Sequence, residues 1–594
     1  MFKIAGRYLQ FWPTTAAVFF LLVQVVTNLM LPNITAQIIN QGIAQKDMRM
    51  IWLMGGAMLA VALVSWGASI LNVYFASTQS QRLGMKLRQD LFRKVIGLDE
   101  ANFQKFGDAT LITRTTDDVN QLTNLTNTML RMMLMGPLML IGSIFMAYTL
   151  DHNLVLVFAV ALPILALAAG INIAITLPRF QSMQEKIDKI NLIFQEGLTG
   201  VRVIRAFNRD DYEVKKFDGA NQDLTKTSQT VLTTVAMLGP IMTVILSATN
   251  IAIVWFGAQL IGRGMMGMGN LVAFLTYATQ ILMSFMQLTA VMVMLPRAQV
   301  SAKRANAVLD TVDQVKDGAQ NALTSADKKL QLTDVSFSFD AADRPALTGI
   351  NVEAKAGETL AIIGGTGSGK STLVSLMARL MDVTTGAVTL DDTDIRQLTQ
   401  TLVHEKVALT EQKAVLFSGT VRSNLLYGKS TATDDEMWAA LDIAQATDFV
   451  KSQGGLDMTV EQDGGNFSGG QRQRLSIART LIADSEIFIF DDSFSALDFA
   501  TDAKLRAALV NSERHKKALK VVVAQRITTV MSADKILVLE NGTQVGLGSH
   551  AELAKTCPQY QEIMRSQLSD DELAKMGLSD LTTVSNSEKG GELK

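Results

Sequence analysis

Cysteine is almost missing: Cys557 is alone among 594 residues. That excludes a disulfide framework and a cysteine-built metal cluster. Four histidines leave little for a histidine metal site. Charge is scarce in the first half, where residues 1–300 hold 23 Lys/Arg and 16 Asp/Glu, 39 of 300 or 13%. Residues 301–594 hold 31 and 40, 71 of 294 or 24%. An apolar half of net +7 is therefore joined to an acidic half of net −9. The overall balance of −2 gives no ground to expect a nucleic-acid partner. No early apolar run shows a short core followed by a small-residue cleavage site, so no cleavable signal peptide is expected.

Apolar length is what the first half has in abundance. The chain is too long for one ordinary core, and it is 48% hydrophobic with a mean hydropathy of +0.22. A membrane span needs about 20 mostly apolar residues. Six candidates fit: Thr14–Ile39, Ile51–Ala76, Met132–Leu150, Leu154–Thr176, Val235–Ile261 and Leu271–Leu295. None contains Asp, Glu, Lys or Arg. The links after spans one, three and five are short, and their only Lys or Arg are Lys46, Arg49 and Arg263. Those after spans two and four are long and rich in Lys and Arg. The positive-inside rule puts the long links and both termini in the cytoplasm of a cell membrane. Leu83, Leu87, Leu91 and Val95 recur at helical spacing, so the spans are expected to run on as extended helices. The tips Gly107–Val119 and Glu196–Phe207 are either solvated loops or a docking surface. Ten of the 30 methionines cluster at Met129–Met146 and Met283–Met294, either as an adaptable binding surface or as packing and lipid-facing filler.

The chemistry lies in the second half, after a polar linker at 310–329. Residues Gly364, Gly365, Thr366, Gly367, Ser368, Gly369, Lys370 and Ser371 read GGTGSGKS. They follow a strand-like run, Thr359–Ile363, and with Thr372 open a helical pattern, as a phosphate-binding loop requires. Glycines let successive N–H groups curl around phosphate oxygens at a helix N-terminus. Lys370 supplies charge for the β and γ phosphates, and Ser371 a hydroxyl for Mg²⁺. A second apolar run, Ile487–Phe490, ends in Asp491 and Asp492. A carboxylate at a buried strand's end suits Mg²⁺.

FSGGQRQR, from Phe467 through Ser468, Gly469, Gly470 and Gln471 to Arg474, lies between these two motifs. In that order they resemble the ATP-binding cassette of ABC transporters, for which an LSGGQ-like signature is close to diagnostic. Phe339 in VSFSF then looks like the aromatic that stacks on adenine. Gln412 resembles the Q-loop glutamine, a further Mg²⁺ ligand, and Asp498 in SALD resembles the D-loop aspartate. His550, near the end of the cassette, is expected to be structural. The first half resembles the six-span domain of ABC exporters, whose coupling helices lie in the two link tips. The expected fold is therefore an all-α six-span domain, 1–309, fused to an α/β P-loop cassette, 330–566. A polar tail, 567–594, follows.

Two positions depart from the family's pattern. Its catalytic glutamate follows the strand aspartate, and here that position is Asp492. Its switch histidine sits where VVVAQRITT has Gln525. A carboxylate one methylene shorter stands about 1.5 Å back, a displacement to which catalysis is sensitive. Glutamine cannot be cationic beside a γ-phosphate. The resemblance implies a site that holds ATP and cleaves it slowly. It also implies a signature that completes the competent site of a second, non-identical half-transporter. A homodimer would have two degenerate sites and no use for an intact signature.

The expected function is one subunit of a heterodimeric ATP-driven exporter of hydrophobic or amphiphilic compounds, drugs among them. Recognition in the lipid membrane would rest on methionines, on Phe145, Trp255 and Phe285, and on polar handles such as Gln24, Asn28, Asn172 and Asn250. The alternatives are export of a lipid, peptide or metabolite, and a non-transporting ATP-gated regulator. No peptidase domain precedes the spans, which weighs against a processing peptide exporter.

Overall fold

The computed structural model describes residues 2–323, 329–340 and 342–575. Most of the expected tail, from 576 onward, lies outside the described residues, as do 324–328 of the expected linker. The chain divides into two compact units, Met1–Gly97 with Phe106–Thr311, and Leu98–Lys105 with Val312–Lys594.

The first unit is all helix. Among the described residues, six helical stretches are long and apolar enough to cross a membrane. The first, Phe11–Gln37, carries no charge and ends in a π-helical turn, Ile38–Ile43. A single helix of 49 residues, Met48–Ile96, carries the second span far beyond its apolar part and stops at Gly97. The third span, Met135–Leu150, is reached through helices Asp108–Thr115 and Asp117–Thr128 and a second π turn, Met129–Met133. Leu156–Ala206 is one helix of 51 residues. Asp210–Ala236 and Leu238–Gly262 follow, then Met268–Leu309.

Without water to drive them together, membrane helices associate through close packing of small residues and shared hydrogen bonds. Gly142 packs so tightly that an added Cβ would stand 2.3 Å from Leu29 Cδ1. The buried Asn72 donates to the Ala17 and Leu130 carbonyls at 2.8 and 3.3 Å. Tyr277, fully buried, donates to the Leu29 carbonyl at 2.7 Å.

The second unit is built on a ten-stranded sheet. Its strands are β1 (Leu330–Phe337), β2 (Leu347–Ala354), β3 (Thr359–Gly364), β4 (Thr385–Leu390), β5 (Thr393–Asp394) and β6 (Val407–Thr410). A separate small pair, β7 (Gly419–Thr420) and β8 (Thr459–Val460), intervenes. Then come β9 (Ile487–Asp491), β10 (Leu519–Val523), β11 (Lys535–Glu540) and β12 (Thr543–Gly548). The order across the sheet is β5-β4-β1-β2-β12-β11-β3-β10-β9-β6. The run β11-β3-β10-β9-β6 is parallel throughout. Parallel strands are covered on both faces, so they need unbroken apolar runs; IFIFD and LKVVV are buried at every residue.

The segment before β1 is bound to this sheet's unit. The fully buried Arg379 guanidinium donates to the Lys316 and Leu398 carbonyls at 2.7 and 2.6 Å. Asn102, from the short helix Glu100–Phe106, donates to the Val312 carbonyl at 3.2 Å.

Candidate nucleotide-binding site

Ligands of open parallel sheets gather outside the carboxyl ends of the strands. Pairing sets four such ends together, since Val523 of β10 stands opposite both Asp491 of β9 and Ile362 of β3, and Thr410 of β6 opposite Phe490. The phosphate loop therefore follows β3, Asp491 and Asp492 close β9, Gln525 follows β10, and Gln412 follows β6.

The loop from Gly364 to Ser371 is shaped by glycine where nothing else fits. A Cβ at Gly364 would stand 2.3 Å from the Leu539 carbonyl oxygen. Gly369 has φ +95° and would bring a Cβ to 2.7 Å from Leu347 Cδ2. Gly365 and Gly367 have open space on their missing side chains. Lys370 begins the helix Lys370–Met377. Its buried ammonium donates back to the Gly364 and Gly365 carbonyls at 2.9 and 2.7 Å. Burial lowers its pKa from the ordinary value, and the charges of Asp492 and Asp491 oppose that shift.

Asp491 is buried, and burial raises its carboxyl pKa against a hydrogen bond from Ser371 and the charge of Lys370. Its Oδ1 has no hydrogen-bond partner. An orphaned carboxylate oxygen beside a serine hydroxyl is an oxygen donor pair that suits Mg²⁺, while the Gln412 amide nitrogen faces the neighbouring Asp492.

Asp492 has the strained backbone of φ +45°, and its N–H donates to the Val523 carbonyl at 3.1 Å. Gln525 Nε2 donates to its Oδ2 at 2.8 Å, and Gln412 Nε2 lies 3.5 Å from the same oxygen. Burial raises the Asp492 pKa, the Asp491 charge adds to it, and the Gln525 hydrogen bond works against both.

Other expected residues lie apart from this cluster. Phe339 is 42% exposed on the turn after β1, braced edge-on by Phe337 at 4.9 Å. Ser468 caps the helix Gly469–Leu481, accepting from the Gln471 N–H while Gln471 Oε1 accepts from the Ser468 N–H. Phe467 is buried in a second apolar cluster, against Phe449, so the turn before the helix is anchored from below. Gly469 has nothing within 4 Å of its missing side chain, leaving the helix start open. Asp498 caps the helix Phe499–Asn511 through the Thr501 N–H and hydroxyl. His550 shares a hydrogen bond with Tyr560 at 2.8 Å, away from these loops, and burial lowers its pKa.

Sequence reasoning missed the residues that hold the Gln525 segment. Arg526 donates to the Ser495 carbonyl at 3.3 Å, and Ser495 Oγ donates to the Asp492 carbonyl at 2.8 Å. Gln567 bonds the backbone on both sides of Arg526. Nothing in their spacing marks them.

The six-helix unit carries an open groove, of about 1030 Å³, between helices Leu238–Gly262 and Met268–Leu309. It is mostly apolar, with Trp255 exposed into it and Asn250, Gln259, Thr276, Thr279 and Gln280 as polar points. The buried Asn250 Oδ1 has no partner.

Residues 14–285 match the ABC transporter transmembrane region and residues 347–495 the ABC transporter family. The chain is 40% identical over 551 residues to an uncharacterized ABC transporter ATP-binding protein of Mycobacterium tuberculosis, covering 92% of this chain and 94% of that one. It is 34% identical over 553 residues to an uncharacterized counterpart from Bacillus subtilis, covering 93% and 96%. It is 30% identical over 493 residues to the ATP-dependent lipid A-core flippase of Desulfotalea psychrophila, covering 82% and 86%. The fold matches a bacterial Atm1-family ABC exporter with ATP bound, with a TM-score of 0.78, 22% identity, and coverage of 94% and 98%. The chain is a multi-pass membrane protein that belongs to the ABC transporter family, with a six-helix transmembrane domain and an ATP-binding cassette in one polypeptide.

Proposed function

We propose that the chain is one half of a heterodimeric, ATP-driven exporter of hydrophobic or amphiphilic compounds, whose own ATP site binds nucleotide but cleaves it slowly. The observation that carries this reading is the Asp492–Gln525 hydrogen bond of 2.8 Å at positions where the family pattern has glutamate and histidine. In this reading the Gly364–Thr372 loop wraps the phosphates and Lys370 turns from the loop carbonyls to the β and γ oxygens. Phe339 stacks on the base. Asp491, Ser371 and Gln412 would hold Mg²⁺, which would supply charge to offset that of the phosphates. Asp492 orients the attacking water poorly, because its carboxylate is short and the amide that steadies it brings no charge. Phe467–Gln471 and Asp498 act across the dimer, on the ATP of the partner subunit.

The domain limits in this reading are 1–309 and 330–566, with both termini cytoplasmic by the bias of Lys and Arg toward the long links. The transported compound is proposed to meet the groove beside Trp255, whose apolar wall and few polar points tolerate many ligands. A lipid cargo is the second reading. It is favoured by the relationship to a lipid A-core flippase at 30% identity.

Nucleotide trapping on the assembled transporter tests the slow-site reading. After brief turnover with radiolabelled ATP, the nucleotide at this chain's site should be mostly ATP. Mostly ADP there, formed at the rate of the partner's site, would overturn the reading.

A further inference from the structure

The segment Gln525–Ile527 has no strand or helix of its own to hold it until the short helix Ile527–Val530 begins. It is held instead by one side chain from the far end of the cassette. Gln567 is the last residue of the helix Pro558–Gln567. Its Nε2 donates to the Gln525 carbonyl at 2.7 Å, and its Oε1 accepts from the Ile527 N–H at 2.8 Å. Both ends of one amide are thus spent on the backbone flanking Arg526. The helix that carries Gln567 is itself rooted in the fold, because Tyr560 and Met564 are fully buried in the apolar cluster beside β11. Arg526 secures the other side, with its guanidinium on the Ser495 carbonyl at 3.3 Å and over the Phe499 ring at 4.7 Å.

The geometry points to Gln567 as a positioning residue for ATP hydrolysis: its amide fixes the backbone of Gln525 so that the Gln525 side chain reaches Asp492. The Gln567 amide bonds only backbone, at Gln525 and Ile527, so it acts through Gln525. Two backbone bonds on either side of one residue leave the Gln525 Cα little freedom, and a hydrogen bond of 2.8 Å is lost with a shift of about 1 Å. The consequence is a division of labour. ATP affinity resides in the phosphate loop and Phe339, which Gln567 does not contact, whereas the chemical step depends on Gln525 and therefore on Gln567. The inference rests on the reading of Asp492 and Gln525 as the groups that face the γ-phosphate.

The test uses the full chain in lipid nanodiscs, in excess over radiolabelled Mg-ATP, and measures affinity separately from a single turnover followed long enough to resolve a constant that steady-state assay reads near background. Gln567→Ala should lower that constant about tenfold, by an amount similar to Gln525→Ala, and leave ATP affinity within about twofold. The double variant should be no slower than either single one, since both remove the same interaction. Gln567→Glu keeps the acceptor for Ile527 and should recover part of the loss. Tyr560→Phe, which disturbs the same helix at its bond to His550, should leave the constant unchanged. If Gln525→Ala slows hydrolysis and Gln567→Ala does not, or if their effects multiply, the positioning role is overturned while the site assignment stands. If Gln525→Ala itself changes nothing, the site assignment fails and this inference with it.

Discussion

Gln525 donates to the Oδ2 of Asp492 at 2.8 Å, across the carboxyl ends of two neighbouring parallel strands. Both residues lie just past strands buried at every position, so the sheet brings their backbones to one edge, and the Gln567 amide bonds the backbone around Gln525. An amide donor on a short carboxylate holds it still without supplying charge. In the proposed reading, this separates ATP binding from the competence to split ATP within one cassette.

The first consequence concerns this chain's signature. Gly470→Val adds a branched side chain where a single Cβ would already stand 3.3 Å from the Ala496 carbonyl. Together with loss of the Ser468 cap, such changes should abolish most ATPase activity of the heterodimer, because they remove the groups that cover the partner's ATP. Lys370→Ala should empty the slow site and do less to steady-state turnover. Side-by-side ATPase rates check this, and a larger loss from Lys370→Ala would reverse the two sites.

Much of the site was legible because its motifs are contiguous or lie at strand ends. Lys370, Ser371 and Asp491 need only a strand, a glycine-rich turn and a helix in the right order. The spans were equally legible from uncharged length. Their interruptions were not: the π turns at Ile38–Ile43 and Met129–Met133 leave no change in apolar pattern. Arg379 was hidden for a different reason. A lone arginine at a helix end reads as solvated, yet it is 1% exposed with φ +52°, because the carbonyls of 316 and 398 converge on it from distant segments. Gln567 has no local pattern either, since its partners lie about forty residues upstream.

The Arg379 cluster yields a stability prediction. Arg379→Leu would strip hydrogen bonds from the carbonyls of Lys316 and Leu398. Orphaned buried acceptors cost about 1–3 kcal/mol each, so the cassette should lose about 3 kcal/mol. Thermal unfolding of the full chain checks it. An unchanged melting temperature would show that water replaces the guanidinium.

A third expectation concerns coupling of transport to ATP use. Arg205 is exposed, one residue before the end of the helix Leu156–Ala206. Arg205→Glu should lower substrate-stimulated ATPase activity and leave ATP binding at the phosphate loop intact. Equal stimulation in both proteins would return the tip at Glu196–Phe207 to an ordinary solvated segment.

Restoring the family's residues should restore chemistry. Asp492→Glu with Gln525→His lengthens the carboxylate toward the γ-phosphate and supplies a titratable donor beside it. Groups that orient or deprotonate the attacking water contribute about 10²–10⁴-fold, so hydrolysis at this site should rise by at least tenfold. Single-turnover measurement on the double variant reads it directly. Glu and His that leave the rate unchanged would locate the defect elsewhere in the site.

The most direct test of the central claim is the ATPase rate of the unmodified chain purified alone in lipid. Every site such a preparation can assemble carries Asp492 and Gln525. The account predicts ATP binding with hydrolysis barely above background, and recovery of turnover when a non-identical half-transporter carrying glutamate and histidine is added. A chain that alone hydrolyses ATP at ordinary exporter rates and moves substrate across the bilayer would contradict the heterodimer, and would show Asp492 to be a competent base.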